Sequence, residues 1–127
     1  MKIISVLGLS AGLLFCAAQV QAENLSGPQI KTKISGKRVL LETSYGIDFP
    51  LHYKRNGRVT GDGTGTGLGK YFAPKETGRW WVSGNKMCQQ FPTWYDGKAQ
   101  CFRLKDAGGN RLRWKRQDGS SGTARVS

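Results

Sequence analysis

Between Gly78 and Val126 the apolar residues fall on alternate positions, and short runs of turn formers break the alternation at Gly84-Asn85, Tyr95-Asp96-Gly97, Ala107-Gly108-Gly109 and Asp118-Gly119. A period of two with such punctuation is the signature of half-buried strands joined by hairpins. A slip of one residue would turn every side chain to the other face, so the registers of successive hairpins must agree on which face is apolar. A two-residue turn at Gly84-Asn85 sets Val82 opposite Met87 and Trp81 opposite Cys88. Pairing Cys88 with Cys101 sets Met87 opposite Phe102. The next two turns are expected to set Phe102 opposite Trp114, Leu104 opposite Leu112, Trp114 opposite Ala124 and Leu112 opposite Val126. All of them agree on one apolar face: Trp80, Val82, Met87, Phe91, Phe102, Leu104, Leu112, Trp114, Ala124 and Val126.

Upstream, KRVLLETSY (37 to 45), PLHYKR (50 to 55) and RVTGDG (58 to 63) read as three further strands, which brings the total to eight. Ser26, Pro28 and the Ile30/Ile34 spacing predict one short helix within 25 to 35, ended by Gly36. The expected fold is all-β, an antiparallel meander forming a small barrel or half-barrel, with this one N-terminal helix.

The same alternation decides what faces water. Lys86, Arg103, Lys105, Arg111, Arg113, Lys115 and Arg125 fall on the outward face, together with the cysteine pair. The expected register puts Arg103 opposite Arg113, Lys105 opposite Arg111, and Arg113 opposite Arg125. Like charges directly across strands destabilise a sheet, and a surface built only for solubility intersperses the signs. These seven residues are therefore the candidate anion-binding set, and the expected partner is an anionic polymer, a lipid headgroup or an acidic protein surface. The bland account is that long basic stems splay apart and are screened within about 10 Å at ordinary salt.

Residues 1 to 22 place Lys2 ahead of an apolar stretch and end on Val20-Gln21-Ala22, the pattern of a secretory signal peptide. Cleavage leaves Glu23 to Ser127, enough for a single domain destined for the periplasm or the exterior, and with no later apolar run long enough to cross a bilayer. The whole chain carries a formal net charge of +12, to which the leader contributes only Lys2. Cys88 and Cys101 are an even pair in an oxidising compartment and read as one disulfide. Chain-entropy reasoning gives a loop of this length about 3 kcal/mol of stabilisation.

The stretch GDGTGTGLGK, 61 to 70, invites a phosphate-loop reading and fails it. The first glycine of such a motif would fall on Thr64, and Tyr71 stands where Ser or Thr is needed. Pro74 and Gly78 also break any helix that could follow. The stretch is expected to be a loop or a glycine-rich edge strand. No cofactor is expected. His52 is the single histidine, no C-x-x-C pair exists, and no serine sits in a G-x-S-x-G elbow, so neither a zinc site nor a Ser-His-Asp site is suggested. Two alternatives to a binding protein stand beside it: a lipocalin-like carrier of a small ligand, and a small hydrolase using His52 with nearby carboxylates such as Glu42 and Asp48. Single-stranded nucleic acid would need exposed rings, and only Trp81, Trp94 and Tyr95 are left outside the apolar face.

L-S-G-x-x-I at Leu25 to Ile30, S-G-K at Ser35 to Lys37, YFAP at Tyr71 to Pro74, G-x-W-x-V-x-G-x-x-x-C at Gly78 to Cys88, and CFRL at Cys101 to Leu104 follow one another along the chain. In this the chain resembles small exported Gram-negative bacterial proteins grouped as a domain family of unknown function. The resemblance implies a periplasmic single domain with the Cys88–Cys101 bridge and brings no activity or catalytic residue. The tryptophan doublet of GRWWV and the glycine alternation depart from that pattern. The functional expectation is a non-enzymatic, exported binding protein.

Overall fold

A computed structural model describes residues 23–42, 48–62 and 75–127. The signal peptide expected over 1–22, the glycine alternation beyond Asp62, and the YFAP motif lie outside the described residues. Eight antiparallel strands form a closed barrel in which each pairs with the next in sequence and the last returns to the first. They are β1 (Lys37–Glu42), β2 (Asp48–Tyr53), β3 (Arg58–Gly61), β4 (Glu76–Ser83), β5 (Lys86–Gln90), β6 (Gln100–Asp106), β7 (Arg111–Arg116) and β8 (Ser121–Val126). Closure is complete, which removes the free edges a half-barrel would keep.

One short helix, α1 (Gly27–Ile34), precedes the barrel. Ser26 Oγ accepts from the Gln29 amide, and Gln29 Oε1 accepts from the Ser26 amide at 2.8 Å, a reciprocal capping box with Pro28 in the first turn. The helix rests on the hairpins at one end of the barrel. Gly27 N donates to Asn85 Oδ1 at the β4–β5 turn, Gly36 N donates to Tyr53 O, and Lys33 pairs with Asp106. Its inner face delivers Ile30 and Ile34, 0% and 1% exposed, to the core. Burial on that scale stabilises by about 1.5–3 kcal/mol per side chain.

All ten residues of the expected apolar face belong to the core or pack against it, Val82 and Trp114 being partly buried. The first half of the molecule contributes Val39, Leu51, Tyr53 and Val59. The register at Gly84-Asn85 is as expected, with Val82 opposite Met87 and Trp81 opposite Cys88. Cys88 and Cys101 are directly paired and disulfide-bonded.

The next two hairpins correct the expected pairing by two residues. Phe102 lies opposite Arg116, Leu104 opposite Trp114, Leu112 opposite Ala124, and Trp114 opposite Gly122. The cause is loop position, each loop being centred one residue away from its expected place. Ala107 N bonds Arg111 O, and Arg116 N bonds Ser120 O, so each loop holds three residues, 108–110 and 117–119, with left-handed Gly108, Gly109 and Gly119 supplying the sharp reversal. A shift of two leaves parity intact, which is why the apolar face survives while its partners change. The close pairing of Trp114 with Gly122 is sterically tuned: a Cβ at Gly122 would stand 2.6 Å from the indole.

Among the described residues Gln89, 4% exposed, is the one buried polar side chain. Tyr53 Oη donates to its Oε1 at 2.6 Å. Burial, and secondarily Tyr95, pushes the Tyr53 phenol far above its ordinary range.

Candidate anion-binding surface

Strands β6 and β7 place Arg103 opposite Lys115 and Lys105 opposite Arg113. These are odd positions, whose side chains leave the barrel, and all four residues are exposed. Residues two apart on a strand are about 7 Å apart, and adjacent strands about 5 Å, so four cationic stems rise from a patch of that size. Among the described residues none of the four forms an ion pair. The β8 neighbours are hydroxyl residues, Thr123 opposite Arg113 and Ser121 opposite Lys115.

On the other edge, β5 pairs with β6 only from Gln100 to Phe102. The segment ahead of α1 takes up the remainder: Asn24 bridges to Lys105, and Leu25 N donates to Leu104 O at 2.7 Å. The four cations, Asn24, Ser121 and Thr123 line a surface groove of about 450 Å³.

The other expected cations stand elsewhere. Arg111 lies opposite Arg125, and Glu42 of β1 neutralises both, with Arg111 Nη2 at 2.9 Å and Arg125 Nε at 3.6 Å. Thr123 Oγ1 donates to the same carboxylate at 3.2 Å. These residues stitch the β8–β1 seam rather than extend the uncompensated block. The expected pairs Arg103/Arg113, Lys105/Arg111 and Arg113/Arg125 do not occur, because the first loop is centred one residue later and the second one residue earlier than expected. Lys86 opens β5 opposite Ser83 and is half-buried.

A second like-charged pair, Arg58 opposite Arg79, joins β3 to β4. No short turn connects those strands, so their register is not readable from sequence. Arg79 is partly compensated: its guanidinium gives two hydrogen bonds to Gln90 Oε1 and lies 5.2 Å from the Trp81 ring centre.

Of the three rings considered for stacking, Trp81 is half-buried beside Arg79, and Trp94 folds back over the core against Phe91 and Phe49. Tyr95 is 46% exposed, with the Arg116 guanidinium 5.0 Å from its ring centre. Arg116 also bonds Asp118 at 2.7 Å, which, with Ser120, holds that carboxyl well below the usual range. His52 is exposed on β2 opposite Arg38, and Glu42 and Asp48 are cross-strand partners. Glu42 is committed to its two arginines. Among the described residues no group of three or more His, Cys, Asp or Glu could hold a metal ion, and no helix is long and apolar enough to cross a membrane.

No protein-family model, curated protein or solved structure matches the chain. What can be said of function rests on this geometry.

Proposed function

We propose that the protein is an exported, non-enzymatic binding module, a barrel wound as an antiparallel meander behind an N-terminal helix, that docks a polyanion on Arg103, Lys105, Arg113 and Lys115. The observation that carries this reading is the block of four mutually repelling cations without ion-pair partners, bordered by side-chain hydroxyls and an amide. An anionic ligand relieves the repulsion, releases counterions and takes hydrogen bonds from Asn24 and Ser121. An anionic envelope component or an acidic protein surface supplies that chemistry. The resemblance to exported proteins of unknown function contributes a compartment to this reading and nothing about the ligand.

Two observations favour binding on the surface over the alternatives. The barrel interior encloses a cavity of about 50 Å³, far below the roughly 300–1,000 Å³ of sites that hold drug-sized ligands, which weighs against a lipocalin-like carrier. The acid–base pair considered for a hydrolase loses its free member, because Glu42 is held by Arg111, Arg125 and Thr123.

The test is retention on immobilised heparin and on anionic vesicles across a salt series. The wild-type protein is expected to stay bound at physiological salt. Changing Arg103, Lys105 and Arg113 together to serine is expected to abolish retention, whereas changing Arg58 and Arg79 leaves most of it. Equal losses from the two sets would reduce the site to general basicity and end the proposal.

A further inference from the structure

The barrel wall carries a second set of like charges. Lys54 N donates to Arg58 O at 2.8 Å, which carries the β2–β3 register one step past Tyr53 and Val59 and sets Lys54 beside Arg58. Arg58 in turn lies opposite Arg79. Their chain neighbours Tyr53, Val59 and Trp80 are buried, so the three cations take the outward parity, and all three are exposed. They form a row across three strands, with about 5 Å from one stem to the next. Among the described residues none of them forms an ion pair. Glu76, the acid on β4, is taken by the amide and hydroxyl of Thr93.

Where this row sits decides what it can do. The strands close in sequence order, so β3, at the centre of the row, and β7, which carries Arg113 and Lys115, are four strands apart in either direction. In a barrel of eight that is the opposite wall. The stretches between are not cationic throughout. On one side Glu42 neutralises Arg111 and Arg125, and on the other stand Trp81, the Cys88–Cys101 bridge and half-buried Lys86. The protein thus has two basic faces and not one continuous belt.

Barrel geometry sets their separation. Eight strands about 5 Å apart and tilted by about 40° close into a cylinder about 16 Å across its backbone. Extended Lys and Arg stems add roughly 6 Å on each side, which puts the two sets of charges about 25–30 Å apart. That is about three screening lengths at 0.15 M ionic strength. Occupying one face therefore leaves the field of the other unchanged, and two anionic surfaces held that far apart scarcely repel each other.

The shape of the faces favours lipid headgroups over an extended polymer. Each is a compact group of three or four cations on a convex wall, beneath which mobile headgroups can gather. Tyr95, the exposed large hydrophobic among the described residues, belongs to neither face, so contact is made without insertion. We infer that the barrel bridges two anionic lipid surfaces, one docked on Arg103, Lys105, Arg113 and Lys115 and the other on Lys54, Arg58 and Arg79. This rests on the reading of the β6–β7 block as a docking face and adds a second one. The second is weaker, having one cation fewer and with Arg79 partly engaged by Gln90 and Trp81. At an anionic membrane each basic residue strengthens binding by about fivefold, so removing three cations weakens a face by about a hundredfold.

The experiment uses vesicles of phosphatidylcholine containing about 30% phosphatidylglycerol at about 0.05 M salt, where screening is milder. Co-sedimentation reads binding, light scattering reads clustering, and small-angle X-ray scattering reads the gap between clustered membranes. The wild type is expected to bind and to cluster the vesicles with a gap of about 25–30 Å, the thickness worked out above. Changing Lys54, Arg58 and Arg79 together to serine is expected to leave binding but lower clustering by about tenfold or more. The serine variant of Arg103, Lys105 and Arg113 should bind more weakly and also fail to cluster. Changing Lys31, Lys75 and Lys98 to glutamine removes the same charge from exposed positions outside both faces and should leave clustering unchanged. Binding without clustering in the wild type would overturn the bridge and leave the β6–β7 face standing. So would undiminished clustering by the variant lacking Lys54, Arg58 and Arg79, or a gap near twice the barrel thickness, either of which would mean that two barrels meet between the membranes. Equal loss of clustering in the Lys31, Lys75 and Lys98 variant would overturn the bridge in favour of general charge, and absence of binding by the wild type would remove both faces.

Discussion

Removing one charge from the β6–β7 block should make the protein more stable. In Lys105→Gln the two nearest cations lost as repelling neighbours are Arg113, directly across the sheet, and Arg103, two residues back on the same strand. With charged ends about 7 Å apart in a water-like dielectric, each interaction is worth about 0.6 kcal/mol, so relief totals about 1.2 kcal/mol where salt is low. At 0.15 M ionic strength the screening length is about 8 Å, and the gain falls to about 0.5 kcal/mol. For a domain of this size that corresponds to a rise in Tm of about 4–8 °C at 0.01 M salt, where screening over about 30 Å trims the gain to about 0.9 kcal/mol, and about 2–4 °C at 0.15 M. Thermal unfolding followed by circular dichroism at the two salt concentrations measures both values. Arg111→Gln is the companion, because Arg111 pairs with Glu42 and is 56% exposed. Its loss should lower stability by a few tenths of a kcal/mol. If Lys105→Gln proved neutral or destabilising at low salt, or its gain ignored ionic strength, the block would not be a reservoir of repulsion and the case for a polyanion would lose its physical basis.

Two other outcomes are expected. The Tyr53 phenol ionises in the unfolded chain near its ordinary pKa of 10.0 but is raised when folded, by burial first and Tyr95 second. Its contribution is therefore intact below pH 10 and is lost as pH rises above it. Tyr53→Phe should be less stable at pH 8 by about 1 kcal/mol, the worth of the bond to Gln89, yet that deficit should shrink by pH 11 in urea unfolding; a constant gap would refute the shift. Gly122→Ala forces a methyl into the Trp114 indole and should cost about 1–3 kcal/mol with a change in tryptophan emission, while Ser121→Ala next door should stay within about 0.5 kcal/mol.

The face that each strand of the second half presents to the core was legible because parity is insensitive to errors of two. The two-residue turn at Gly84-Asn85 leaves no freedom, so Val82, Met87 and the cysteines pair as expected. Glycine-rich turns such as 107–109 admit several loop placements, and the register of β7 and β8 could not be fixed from them. Which cations lack a partner was equally hidden, since Glu42 reaches Arg111 and Arg125 only once β8 closes on β1. Gln89 shares the parity of Met87 and Phe91 and so belongs to the inner face, but its partner there, Tyr53 on β2, was not legible. The spacing of Ile30 and Ile34 worked because a capped helix of two turns offers one apolar stripe.

The first described residues and the last border one groove of about 620 Å³, lined by Leu25 on one side and Ser127 on the other. Leu25 and Ser127 therefore lie at neighbouring points of the barrel. A short glycine-serine linker between them, with new ends opened in the 117–119 hairpin, should yield a circular permutant of the same architecture. In such a permutant Asn24 would be held by chain on both sides, so its share in ligand capture could be weighed with its place beside Lys105 fixed.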